Sequence, residues 1–71
     1  MKKVIIAFIK DKIASLENGY AQNYVAQKEL ETISNKTPKN NSDIDACKFN
    51  MEKALEKIKF YKALLKSESK E

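Results

Sequence analysis

The sequence predicts an all-α protein, an antiparallel helical hairpin that assembles into a homo-oligomeric helical bundle. Three observations carry this expectation. Ile44, Cys47, Met51, Ala54, Ile58, Tyr61 and Leu65 recur at alternating intervals of three and four residues, the spacing of a heptad seam. An earlier stretch, Ile6, Ile9, Ile13, Leu16 and Tyr20, follows the same step. Between them, the segment from Asn35 to Ser42 holds the only proline and a cluster of turn formers, and reads as the one clear linker.

The first helix is expected over about residues 3–35. Its stripe runs from Ile6 to Tyr20 and returns at Leu30 and Ile33. In between, Asn23 and Gln27 fall on the stripe while Tyr24 and Val25 sit beside it. Gly19 admits two readings. As a C-terminal cap it would split the segment into two helices. As an interior glycine it costs about 1 kcal/mol against alanine. Helical spacing resumes at Tyr20 with no connecting residues, which favours one long helix kinked near Gly19. The loop is expected over 36–42, because Pro38 breaks a helix and biases Thr37 to an extended backbone. Ser42, followed by Asp43 and Asp45, reads as an N-cap with acids in the first turn. The second helix is therefore expected over about 43–67, with a frayed tail at 68–71. Taken as about 30 and 25 residues, at a rise of 1.5 Å per residue the helices would span about 45 and 37 Å, so the longer one overhangs and offers a partner a grip. No internal repeat or low-complexity tract is evident, and residues 1–71 are expected to form a single helical-hairpin domain.

Composition narrows the function. A chain of 71 residues seldom buries enough apolar surface to stand alone. Cys47 is the sole cysteine, which excludes a disulfide within the chain. Histidine is absent, and one thiolate cannot build the usual four-ligand zinc cage. No metal or cofactor is expected, and self-association is left to complete the core. Cys47 on the seam suits a reducing compartment as a small buried hydrophobe, with a reactive or intermolecular thiol as the alternative. All 14 basic residues are lysines, against 10 acids, for a net charge of +4. Arginine, which forks onto guanine edges, is missing, and this argues against sequence-specific DNA reading. The abundance of Lys, Asn, Ile and Glu also fits an AT-rich genome. The apolar run Val4–Ile9 is cut off by Lys10, Asp11 and Lys12, too early for a signal sequence or for the roughly 20 residues of a membrane span. A cytoplasmic protein is expected, with an interfacial helix through Ile5, Ile6, Phe8 and Ile9 as the lipid alternative.

Candidate interface residues are Ile44, Met51, Ile58, Phe49, Phe60, Tyr61, Leu64 and Leu65. Phe49, Phe60 and Leu64 lie off the stripe, so near Ile58 most of the helix circumference is apolar and more than one side calls for cover. The hairpin covers one side; another copy or a host protein would cover the rest. Lys59, Lys62, Lys66 and Lys70 form a basic edge, with Lys48, Lys53 and Lys57 nearer the helix start. This edge is either a solvated face balanced by Glu52 and Glu56 or an anion site beside the Phe60 and Tyr61 rings. Tyr20, Tyr24 and Lys28 follow one another at single-turn spacing. They could hold a planar anionic ligand, or be half-buried packing residues. Catalysis finds no support. The usual general base near neutral pH is absent, Glu29/Glu31 and Asp43/Asp45 do not share a helix face, and Glu52/Glu56 sits among lysines. A non-enzyme is expected.

The stretch Leu55-Glu56-Lys57-Ile58-Lys59-Phe60-Tyr61 resembles the C-terminal helix of the phage anti-CBASS cyclic-oligonucleotide sponge proteins. They show a Leu-Glu pair, an apolar residue and a bulky pair ending in an aromatic. Their Pro/Ser-containing turn before that helix is similar to Pro38–Ser42. The resemblance covers about a fifth of the chain. Lys59 and Lys62 stand where the family tends to be apolar or small, and the family's arginines are missing. The resemblance implies a small, all-helical oligomer that sequesters cyclic nucleotides between subunits, without identifying binding residues here. The expected function is that of a phage- or mobile-element-type binding protein that sequesters or inhibits a host defence or regulatory component. Lys59, Lys62 and Lys66 would supply charge to an anionic ligand such as a cyclic oligonucleotide. The alternatives are a host-protein inhibitor anchored by Phe49, Phe60 and Leu64, and a Rop-like RNA-associated bundle, a comparison that rests on architecture alone.

Overall fold

A computed structural model describes residues 1–69 as two helices, α1 (Lys2–Glu31) and α2 (Pro38–Ser69), packed against each other as a hairpin. The short connection from Thr32 to Thr37 imposes the antiparallel sense, and two contacts between the helices report it. Asn50 Nδ2 donates to Asn23 Oδ1 at 3.3 Å, and Lys62 Nζ lies 3.7 Å from Glu17 Oε2. The rod measures 55 × 14 × 13 Å, one helix pair wide.

The seam is the expected one, extended. On α2, every position from Ile44 to Leu65 at the three-four step is buried or half-buried. On α1 the same step runs without a break through Ile6, Ile9, Ile13, Leu16, Tyr20, Asn23, Gln27 and Leu30. Ile9, Ile13, Ile44, Cys47 and Ile58 are the buried apolar residues. At about 1.5–3 kcal/mol for each fully buried side chain, that is a thin core. Asn23 and Gln27 keep their seam positions because their polar atoms find local partners. Asn23 Nδ2 donates to the Gly19 carbonyl at 2.9 Å, and Gln27 Nε2 donates to Glu31 Oε2 at 3.0 Å.

Helix α1 continues through Gly19, whose φ is not positive, so the split into two helices does not occur. It stops at Glu31 rather than near residue 35. There Thr32 Oγ1 donates to the Glu29 carbonyl at 2.6 Å, and Lys36 Nζ donates to the carbonyls of Glu31 and Ile33.

The start of α2 corrects the expectation of a helix beginning near Asp43 with Ser42 as its cap. The helix begins at Pro38, because proline at the first helical position fits the required φ and its missing N–H would have had no intrahelical partner. Thr37 is the cap: its Oγ1 accepts the Asn40 N–H at 3.2 Å, and Asn40 Oδ1 accepts the Thr37 N–H at 3.0 Å. The two helices, of 30 and 32 residues, are nearly equal, so the expected overhang of the first does not exist. Of the tail expected to fray at 68–71, Glu68 and Ser69 are helical and the last two residues lie outside the described residues. Among the described residues, no helix is long and apolar enough to cross a membrane.

Candidate functional site

A two-helix seam leaves each helix with two flanks, and the antiparallel register decides which residues share one. Glu17 and Lys62, which pair across the hairpin, each directly follow a seam residue, Leu16 and Tyr61. In an antiparallel pair, residues that directly follow seam positions line one side and those that directly precede them line the other. The shallow groove lined by Glu17, Tyr20, Leu55, Ile58 and Lys62 agrees, since Leu55 also follows a seam residue.

Five lysines fall on the Glu17–Lys62 side at the open end of the hairpin. Lys3 and Lys10 come from α1, two heptads and one heptad before Glu17. Lys59, Lys62 and Lys66 come from α2 at single-turn spacing. Among the described residues only Lys62 of the five forms an ion pair. Lys70, placed on this edge from the sequence, lies outside the described residues.

Toward the loop the same side is neutralised. Glu31 pairs with Lys28 at 3.4 Å. Its carboxyl is held below the usual carboxylate range, first by the hydrogen bond from Gln27, against some desolvation, and then by Lys28 and by the Lys48 charge across the seam. The positive potential is therefore concentrated at the open end.

The Tyr20, Tyr24 and Lys28 set is only partly assembled for a ligand. Tyr20 is half-buried and lines the groove with Lys62, a groove of about 300 Å³. Tyr24 is exposed, but the Lys28 ammonium already lies 5.3 Å from its ring centroid and is paired with Glu31. The Glu17 carboxylate stands in the groove that an anion would enter. An anion therefore meets the Lys3, Lys10, Lys59 and Lys66 flank more readily than the groove itself.

The candidate interface residues divide. Ile44, Met51, Ile58, Tyr61 and Leu65 are consumed by the hairpin's own seam. Phe49 and Phe60 are exposed and Leu64 is half-buried. Phe60 and Leu64 directly precede seam residues, as do Ile5 and Phe8 of α1, so these four share the side opposite those five lysines, together with Lys12, Lys53 and Lys57, which also precede seam residues. Phe60 also packs edge-on to Tyr61, with ring centroids 5.3 Å apart. A separate shallow depression on the outside of α1 is lined by Ala21, Gln22, Val25, Ala26 and Glu29. The contributions of Lys3, Lys10, Ile5 and Phe8 were not legible from either helix alone. The signal was the unbroken α1 heptad, which becomes visible once Asn23 and Gln27 are counted as seam residues. No family model, curated protein or solved structure matches this chain.

Proposed function

We propose that this chain is a non-enzymatic binding protein that works as a homo-oligomer and sequesters a phosphate-bearing ligand along its lysine side. One observation carries the reading: five lysines from both helices gather on one side of the open end, and only Lys62 is paired there among the described residues. Lysine is a compact point charge suited to phosphate, and clustered ammonium groups raise the local anion concentration. In this reading a cyclic oligonucleotide is the ligand that the resemblance to the phage sponges implies. Removal of a host defence signal is then the task, with the cytoplasm as its setting.

A linear RNA is the second reading, favoured by the openness of the lysine side. It runs along the rod, about 10 Å from Lys3 to Lys10, rather than enclosing a cavity. Equilibrium binding of a labelled cyclic oligonucleotide and a labelled single-stranded RNA, at low and physiological salt, tests both. Tight cyclic-oligonucleotide binding, lost when Lys10, Lys59 and Lys66 become glutamine, supports the sponge. RNA binding that falls about a hundredfold between 50 and 200 mM salt, as roughly five phosphate contacts predict, supports the bundle. Failure of both probes at low salt overturns the phosphate-ligand reading.

A further inference from the structure

The groove between the two helices holds chemistry that phosphate binding leaves unused. Its floor is apolar: Ile58 is buried, Tyr20 is half-buried, and Leu55 lines it beside them. Its rim is charged, with Glu17 of α1 and Lys62 of α2 held 3.7 Å apart as an ion pair. The Glu17 side chain is 54 % exposed and that of Lys62 59 %, so both can reach a ligand. At about 300 Å³ the groove stands at the bottom of the range for small-molecule sites, about 300–1,000 Å³. It therefore admits a single ring system rather than a whole oligonucleotide. An apolar floor carrying a phenol ring, with hydrogen-bonding groups along one edge, is the form of a nucleobase site.

We infer that this groove takes a guanine base, read along its Watson–Crick edge by Glu17 and Lys62. The inference rests on the phosphate-ligand reading above and names the base that accompanies the phosphate. A carboxylate only accepts hydrogen bonds, and an ammonium only donates them. Across the rim the Lys62–Glu17 pair therefore presents one donor followed by two acceptors. Guanine's edge is the complement: the O6 acceptor, then the N1–H and N2–H donors. Adenine and cytosine each offer one amino donor beside a ring acceptor, so one Glu17 oxygen would face no donor. Uracil sets a single N–H between two carbonyls, one of which would face the carboxylate. The lysines fit the same pose. Lys59 and Lys66 flank Lys62 at one-turn spacing, about 5 Å along the helix, where the sugar and phosphates leave the groove. Glu17, which keeps phosphate out of the groove, is thus the residue that selects the base.

The test is equilibrium binding, at low salt, of dinucleotides carrying guanine, adenine or hypoxanthine, each in linear and cyclic form. Hypoxanthine keeps O6 and N1–H but lacks the N2 amine. The wild type should bind the guanine form about tenfold more tightly than the adenine form, with hypoxanthine between them. That is the low end of what one bidentate contact to a base gives, because both side chains face water. Glu17→Gln removes a negative charge and an acceptor, so it should raise affinity for every form while abolishing most of the guanine preference. Lys66→Gln should weaken all forms alike and leave the preference intact. Both variants should keep the wild-type helical circular dichroism, since Glu17 and Lys66 are exposed. Equal affinity for the guanine and adenine forms, or a preference for adenine, overturns the base site while leaving the phosphate reading standing. A guanine preference that survives Glu17→Gln overturns the inference in the same way. Binding of no form overturns both.

Discussion

At the scale of single residues, the informative positions are the ones that do not look like a coiled coil. Asn23 and Gln27 hold seam positions with their amides satisfied within one turn, so the stripe survives two polar interruptions. Gly19 serves no special backbone role: its φ is not positive, and a Cβ built there meets nothing within 4 Å. Gly19→Ala should therefore stabilise the hairpin by about 0.5–1 kcal/mol, read as a higher midpoint in urea; a lower midpoint would show that the glycine is needed. Glu31 gives a pH signature. Its carboxyl is depressed in the folded chain, chiefly by the Gln27 hydrogen bond and then by Lys28 and Lys48. The sign follows from linkage: this contribution is full above the unfolded carboxylate value and is lost as pH falls through the lower folded value. Wild type should melt above Glu31→Gln at neutral pH, by a modest margin because the carboxylate is exposed. The gap should narrow as pH falls through the folded carboxylate value and vanish once the carboxyl is protonated in both states. A gap that widens on acidification would contradict the assignment.

At the scale of the elements, the three-four step of α2 was readable because apolar side chains occupy it continuously from Ile44 to Leu65. The step of α1 was half hidden, because satisfied amides on a seam carry no hydrophobic signal. The ends were misread for a different reason. Proline reads as a breaker unless its neighbours mark it as a first helical residue, and Thr37 with Asn40 is that mark. Thr37→Ala should cost about 0.5–2 kcal/mol, measured by denaturant unfolding, whereas Ser42→Ala, inside α2, should cost little. The reverse ranking would restore the later helix start.

At the scale of the whole molecule, the two sides of the rod differ, and neither helix alone reveals it. Lys59, Lys62 and Lys66 were visible as a basic edge, and Phe60 and Leu64 as surplus apolar surface. That Lys3 and Lys10 join the first set, and Ile5 and Phe8 the second, depends on the antiparallel register, which needs both helices and the link between Glu17 and Lys62. In the proposed account the side of Lys3, Lys10, Lys59, Lys62 and Lys66 binds phosphate, and the side of Ile5, Phe8 and Phe60 stays clear of the ligand. An amide correlation spectrum of the isotope-labelled chain, titrated with a short oligoribonucleotide in linear and cyclic forms, tests this most directly. The account predicts shifts concentrated at Lys3, Lys10, Lys59, Lys62 and Lys66, with Ile5, Phe8 and Phe60 unmoved at fixed protein concentration. Shifts centred on Phe8 and Phe60, or none with either ligand, would contradict it.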